Sequence, residues 1–214
     1  MLPEGYLSPK AERAVRDALR KRSHLVGQQT ANMLSLQNLI VRHTGVRLSA
    51  TRLHAFTKAE RQGMLPEADQ ILAVTSSLAV LDCLRHQLHT LERAVRQRLK
   101  HSSAYEQRLT VDGLGAMVAQ TIVLETGHLG RFSTVGHSAS SCRCVKRTNI
   151  SHGKRQGQGN VNHGTPSLAW TYREAAQVAL RFSPRGQRFY PRQQAQSHLM
   201  VARKAVAHTL ARAC

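Results

Sequence analysis

The stretch Leu109–Gly127, reading LTVDGLGAMVAQTIVLETG, determines how the rest of the chain is interpreted. An apolar lead-in, Gly113-Leu114-Gly115 and a run rich in Ala, Val, Ile and Leu form the pattern of a helix-hairpin-helix. Glycines adopt backbone conformations that other residues resist, and they let a phosphate approach the main chain. The N–H groups and positive dipole end of the following helix can then hold that phosphate. Gly113 and Gly115 are therefore predicted to bind a nucleic-acid backbone without reading its sequence.

The charge of the chain predicts a polyanionic partner. Its 214 residues carry a formal charge of +19, and the aromatic fraction of 4% predicts a mostly aliphatic core. DNA or RNA is the simplest partner. An acidic membrane surface is the alternative, which the lack of a bilayer-length apolar run weakens. Residues 101–214 hold 15 Lys and Arg against four Asp and Glu, so this half is expected to form most of the nucleic-acid surface.

Apolar periodicity predicts two long helices in the first half of the chain. Residues 9–43 carry an apolar stripe, and residues 67–99 carry a three-four alternation of Ile, Val and Leu that is typical of a coiled-coil seam. The two helices are long enough, and linked closely enough, to pair antiparallel. We therefore expect a helical coiled-coil region at residues 1–100, through which homo-oligomers can form, and a separate domain at 101–214.

The remaining segments complete a mainly α fold: long antiparallel coiled-coil helices, then a small helical domain that contains the helix-hairpin-helix and a basic loop. No strand is predicted. Short helices and turns are expected at 46–66, a loop-rich stretch at 133–167, a helix at 168–182, a Pro/Arg break at 183–191 and a last helix at 193–212. No secretory signal precedes the first helix, and the four cysteines form no disulfide framework, which together predict a cytoplasmic, nucleoid-associated protein.

Metal chemistry is not expected within this chain. Two-metal phosphoryl transfer needs clustered carboxylates, and the twelve acidic residues are mostly isolated along helix faces. Cys142 and Cys144 lie near His137, His152 and His163, which would suit zinc. Their spacing of one residue is shorter than the usual two to four, so buried or incidental thiols are the better interpretation.

A basic segment surrounds one serine. Ser151 lies between the pairs Lys146-Arg147 and Lys154-Arg155, and a serine can attack a phosphodiester whose charge is neutralised. The commoner alternative is a solvated basic loop with a serine in a turn. Three tyrosines are other possible nucleophiles, although one of them, on an otherwise apolar helix, is better explained by packing. They are Tyr105, Tyr172 and Tyr190.

Several motifs in a fixed order carry a resemblance to a known family. They are GLG and LETG within Leu109–Phe132, Val135-Gly136, CRCV at Cys142–Val145, SHGK within Ser151–Asn160, Gly164, LAWTYREAA at Leu168–Ala176, and the tail Val201–Ala213. In this order they resemble the C-terminal part of DEDD-type insertion-sequence transposases, in the subgroup with CRCV and SNGK motifs. The first helix, with Leu34–Gln37 and Arg42–Gly45, resembles the region that follows the catalytic domain in those proteins.

The resemblance implies a DNA transposase, or recombinase, that moves its own insertion sequence. Such proteins combine an N-terminal RuvC-like domain, whose DEDD carboxylates bind Mg²⁺, with a coiled coil and a C-terminal domain that holds a catalytic serine. The resemblance implies that this serine forms a phosphoserine link to DNA and that a structured guide RNA is a further partner. Ser151 matches the first residue of the SNGK motif, with His152 in place of the asparagine.

Departures from the family pattern suggest a truncated and decaying copy. The chain begins where the RuvC-like domain should end, so no cofactor is expected within it, and alone it is expected to be inactive. Ser138 and Ser141 stand at positions that are usually aromatic. Pro166 replaces part of an Asn-x-Tyr motif and is expected to disturb the start of the following helix.

Two other functions remain open at this stage. The first is a stand-alone, non-catalytic helix-hairpin-helix protein that binds nucleic acid or regulates transposition. The second is a ribosomal-type RNA-binding protein, which only the charge supports. A Ser151-dependent covalent adduct with DNA would separate the transposase from both.

Overall fold

The computed structural model describes residues 9–144, 148–158 and 164–214, and its fold is mainly α, as the sequence predicts. The helices are α1 Lys10–Thr44, α2 Ala50–His54, α3 Lys58–Met64, α4 Ala68–Leu99, α5 Ser103–Leu109, α6 Ala116–Thr126, α7 Val135–Ser141, α8 Pro166–Phe182, α9 Pro184–Gln196 and α10 Leu199–Ala213, with a 3-10 turn at Leu129–Arg131. Two short strands, β1 Thr148–Ser151 and β2 Lys154–Gln158, pair antiparallel.

The chain forms two compact units. One is Asp17–Val95, and the other joins Arg96–Cys214 to the start of the chain up to Arg16, so the boundaries fall inside α1 and α4. Within the first unit the apolar stripes of α1 and α4 face each other, with Leu36 and Val74 in one buried cluster. The Arg22 guanidinium lies 2.7 Å from the Glu92 carboxylate at the other end, so the two helices run antiparallel.

The short segment between α1 and α4 is stabilised by helix caps, and its two short helices confirm the prediction for residues 46–66. Ser49 accepts a hydrogen bond from the Arg52 N–H at the start of α2. Thr57 and Glu60 form a reciprocal capping box at the start of α3. The segment closes over the same cluster through three buried side chains, which are Leu53, Phe56 and Leu65.

The second unit has a core made largely of small side chains. Tyr172, Ile122 and Leu168 are its largest fully buried members. Several alanines of α8 and α10 lie between them, among them Ala175, Ala176, Ala207 and Ala211. Helices α8, α9 and α10 pack mutually, and α6 packs on α8. The aliphatic core that the sequence predicts is therefore present, with alanine as a major component.

Two predictions that rest on proline were wrong. The Pro/Arg break expected at 183–191 lies almost entirely within α9 Pro184–Gln196, because Ser183 caps the helix through the Gly186 N–H and Pro184 occupies its first turn. Pro191 then lies inside the helix. Pro166 does not disturb α8 but begins it, since a first-turn position needs no N–H donor and the fixed φ of proline suits a helix.

The expectation of no strand was also wrong, because β1 and β2 lie within the predicted loop. Their two-residue turn is His152-Gly153, in which both residues have positive φ, +50° and +71°. That combination defines the hairpin turn whose twist matches paired strands, and Asn-Gly is its usual sequence. His152 occupies the first turn position in place of asparagine, so the hairpin was not predicted.

Candidate nucleic-acid interface

The glycine turn lies between two helices. α5 ends at Leu109, the chain turns through residues 110–115, and α6 begins at Ala116 with Gly115 as its N-cap. Leu114 points inward and is buried in the core of the second unit. An α-helix leaves its first N–H groups without intrahelical partners, and no side chain caps α6. The start of α6 can therefore accept an anion.

The two glycines of the turn have different physical roles. Gly113 has φ +94°, and a Cβ at this position would lie 2.8 Å from the Ala179 Cβ and 3.0 Å from its backbone. Close packing against α8 thus explains why position 113 is a glycine. Gly115 is exposed, has an ordinary φ of −71°, and a Cβ there would meet nothing within 4 Å. Gly115 is therefore the glycine that is accessible to a ligand.

Ser151 lies at the tip of the β hairpin and is exposed. Its Oγ is 3.1 Å from Nδ1 of the neighbouring His152, a hydrogen bond whose direction depends on the imidazole tautomer. The cross-strand partner of Ser151 is Lys154, also exposed. Cross-strand partners project from the same face of a sheet, so an ammonium group accompanies the hydroxyl there.

Of the other basic residues predicted to bind nucleic acid, one lies in the hairpin and two lie outside the described residues. Arg155 lies in β2 and pairs with Ile150, whereas Lys146 and Arg147 lie outside the described residues. Over the part of the chain that the structure describes, neither strand packs extensively against a helix. The serine and its lysine partner are accordingly open to a large ligand.

The interpretation of Cys142 and Cys144 as buried or incidental thiols agrees with their burial. Cys142 and Cys144 are buried in the core of the second unit. Burial raises the pKa of the Cys142 thiol to about 12 and that of Cys144 to about 11, so both stay protonated at neutral pH. His137 bonds to Ser133 through Nδ1 at 2.8 Å, and His163 lies outside the described residues. Within 9–144, 148–158 and 164–214, no group of three His, Cys, Asp or Glu could hold a metal ion.

The alternative tyrosine nucleophiles are less accessible than Ser151. Tyr172 is 2% exposed, and burial raises its pKa far above the ordinary value. Tyr105 is also buried, and Tyr190 is half-buried against the core. Ser151 is the exposed hydroxyl of the four candidates.

Two features of this unit escaped the sequence analysis. Ser183 donates a hydrogen bond of 3.2 Å to the Asp112 carboxylate, which ties the start of α9 to the glycine turn. Gly164 has φ +93°, and a Cβ there would overlap the Ser141 carbonyl oxygen. Both contacts join residues that are distant in sequence, so local patterns give no signal for them.

The second unit is thus a small helical domain with an open helix N-terminus and an exposed serine on a basic hairpin. Residues 106–191 match the family model described as Transposase IS116/IS110/IS902 family. The matched region covers the glycine turn, the β hairpin and α8, and it supports a relationship to insertion-sequence transposases. A comparison with curated proteins found no match. Among the helices of the described residues, none combines the length and apolarity that crossing a membrane requires.

Proposed function

We propose that the chain acts in DNA transposition as an insertion-sequence transposase. The match of residues 106–191 to the transposase family carries this proposal, because the matched region contains both the glycine turn and Ser151. In this proposal the unit Arg96–Cys214 contacts DNA, and Ser151 attacks it.

The glycine turn supports the DNA-binding part of the proposal. The exposed Gly115 opens the N-terminus of α6, where backbone N–H groups and the helix dipole favour a phosphate. Gly113 holds the turn against α8 and so fixes where that phosphate would lie. The contact would anchor the DNA backbone and leave its sequence unread.

Replacing Gly115 tests this contact without harming the fold. Aspartate is among the best N-cap residues, and no atom lies within 4 Å of a Cβ built on the exposed Gly115, so Gly115→Asp should keep or raise the Tm. The same carboxylate lies where the phosphate would bind, so affinity for duplex DNA should fall about tenfold, the effect of roughly 1.4 kcal/mol. Gly115→Ser is the matched control, an equally good but neutral cap. Unchanged DNA affinity in Gly115→Asp would refute phosphate binding at this turn.

The β hairpin supports the chemical part of the proposal. The Ser151 Oγ would form a bond to the phosphorus of a phosphodiester, and the bond from phosphorus to one bridging oxygen would break. The serine proton can pass to Nδ1 of His152 when that imidazole is neutral, since the two atoms are 3.1 Å apart. The departing oxygen takes up a proton and leaves as a hydroxyl group, and the DNA remains joined to the protein as a phosphoserine ester. The exposed Lys154 would offset the phosphate charge.

Trapping that ester tests the role of Ser151. The full chain is incubated with DNA from the element ends, with element RNA and with a separately supplied DEDD domain, and denaturing gels report covalent protein–DNA adducts. We expect an adduct that Ser151→Ala abolishes. Ser133→Ala is the matched control, because it removes another exposed serine that bonds a histidine Nδ1, at 2.8 Å. An adduct that persists in Ser151→Ala would refute this nucleophile.

The resemblance implies a metal-dependent step that uses DEDD carboxylates. The described residues do not fit such a metal site, because they contain no group of His, Cys, Asp or Glu that could hold a metal ion. We therefore assign no metal ligand here, and a DEDD domain remains what the resemblance implies. A structured guide RNA and self-association through a coiled coil of α1 and α4 belong to the same proposal. Element RNA in a mobility-shift assay and sedimentation of the free chain test these two partners separately.

A non-catalytic DNA-binding protein is the second candidate function. The open N-terminus of α6 favours it, because that contact needs no contribution from Ser151. Salt-dependent DNA binding that Ser151→Ala leaves unchanged, together with no adduct under any condition, would support this candidate over the transposase.

A further inference from the structure

Helix α9 carries three arginines on one face. Arg185, Arg188 and Arg192 are spaced by three and four residues, the spacing that aligns side chains along a helix. All three are exposed, whereas Phe189 and Tyr190 pack against the core of the unit. The arginine stripe, as we call these three residues, therefore faces solvent over about 10 Å of helix.

The described residues do not neutralise the charge of the stripe. Within the described part of the chain, none of its three guanidinium groups forms an ion pair. Residues 175–214 contain seven Lys and Arg and no Asp or Glu. Like charges at these helical spacings repel each other and cost stability. A bound polyanion would remove that cost.

The glycine turn and the first turn of α9 meet at one residue of α8. A Cβ on Gly113 would lie 2.8 Å from the Ala179 Cβ, and a Cβ on Gly186 would lie 2.8 Å from the Ala179 carbonyl oxygen. The hydrogen bond from Ser183 to Asp112 adds a second link between the turn and α9. The stripe consequently begins beside the open N-terminus of α6, in the same compact unit.

We propose that the arginine stripe of α9 is a docking surface for the phosphate backbone of duplex DNA. The inference rests on DNA binding by the proposed transposase and adds a site beyond the glycine turn and the β hairpin. One strand presents a phosphate about every 3.4 Å of helix rise, so the stripe can reach about three of them. Guanidinium groups bind phosphate through paired hydrogen bonds. A duplex suits this surface better than a single strand, because Phe189 and Tyr190, the rings of α9, are partly buried against the core and present little ring face for stacking on bases.

The test compares two triple variants of the full chain that lose the same charge. The first changes Arg185, Arg188 and Arg192 to glutamine. The control makes the same change at three exposed arginines of the other unit, none of which forms an ion pair within the described residues. These control positions are Arg42, Arg47 and Arg93. Both variants lower the formal charge of +19 by three, so any difference between them reports position and not net charge.

Fluorescence anisotropy with duplex DNA is measured across a salt series. Loss of three phosphate contacts should reduce the slope of log K against log salt by about 2.7, and affinity at 0.1 M salt should fall on the order of 100-fold. The control should change the slope by less than about one. The stripe variant should keep its Tm, since all three arginines are exposed.

Any result other than the expected one would overturn the proposal that the arginine stripe binds duplex DNA. Equal losses in both variants would mean that net charge alone acts, and no loss in a chain that binds duplex DNA would leave the proposed function standing without this surface. A parent chain that does not bind duplex DNA would refute the DNA-binding function as well. Binding to duplex RNA alone, with the same dependence on the three arginines, would assign the surface to RNA instead of DNA.

Discussion

Replacing each glycine of the Gly113-Leu114-Gly115 turn by alanine should give opposite results. At Gly113 the φ of +94° is costly for a residue with a Cβ, roughly 1–2 kcal/mol. The new methyl group would also lie 2.8 Å from the Ala179 Cβ, an overpacking that typically costs about 1–3 kcal/mol. Alanine also lowers the conformational entropy of the unfolded chain, which offsets roughly 0.4–1 kcal/mol of this loss. The free energy of unfolding should therefore fall by about 3 kcal/mol.

Gly115→Ala is the matched substitution within the same turn. Its φ of −71° suits alanine, and no atom lies within 4 Å of the new Cβ. Alanine is a poorer N-cap than glycine by a few tenths of a kcal/mol or more, which the lower entropy of the unfolded chain roughly offsets. Its free energy of unfolding should stay within about 0.5 kcal/mol of the parent value.

Thermal and urea unfolding, followed by circular dichroism, measure both variants. The Tm of Gly113→Ala should fall by roughly 6–12 °C, and that of Gly115→Ala by no more than about 2 °C. A double-mutant cycle with Ala179→Gly isolates the contact, and a coupling of about 1 kcal/mol or more is expected. Equal losses at the two glycines, or no coupling to Ala179, would refute the packing of the turn against α8.

Three further predictions concern separate parts of the chain. Gly164→Ala places a Cβ at φ +93° and in overlap with the Ser141 carbonyl oxygen, so the free energy of unfolding measured in urea should fall by at least about 2 kcal/mol. An unchanged free energy of unfolding would contradict the close approach of Gly164 to Ser141. A thiol reagent at pH 8 should label the exposed Cys83 rapidly and Cys142, whose pKa burial raises to about 12, only on unfolding; rapid labelling of both, read by mass spectrometry, would contradict the burial. The hydrogen bond from Arg52 lowers the pKa of Glu60 from 4.5 to about 2, so its stabilising effect is complete above pH 4.5 and is lost as the pH falls through about 2; a carboxyl NMR titration with its midpoint near 4.5 would show that the pair does not form in solution.

Patterns of nearby residues were enough to predict the long helices. The stripes of α1 and α4 follow from spacing alone, and residues such as Leu36 and Val74 are buried where the periodicity places them. Leu114 between the two glycines likewise turns inward. Such features depend on one helix face and need no knowledge of the partner surface.

Proline and the β hairpin show where that reasoning failed. The Pro/Arg segment 183–191 was expected to be a break, whereas Ser183-Pro184 begins α9, which packs on α8 and α10. His152 occupies a position where asparagine is the usual signal for a turn. The packing role of Gly113, which the sequence predicts only as a phosphate contact, was missed for a third reason, because its neighbour Ala179 lies far along the chain.

The alanine-rich core of the second unit determines how that unit tolerates random mutation. In a core of large side chains, truncation leaves cavities and is the main source of damage. Here a buried alanine such as Ala175 or Ala207 has almost no volume to lose, and glycine would cost about 1 kcal/mol through the helix backbone. Enlargement to valine instead forces the closely spaced helices apart, at about 1–3 kcal/mol for each site. A drifting copy of this gene would therefore lose the fold of its second unit mainly through substitutions that add atoms.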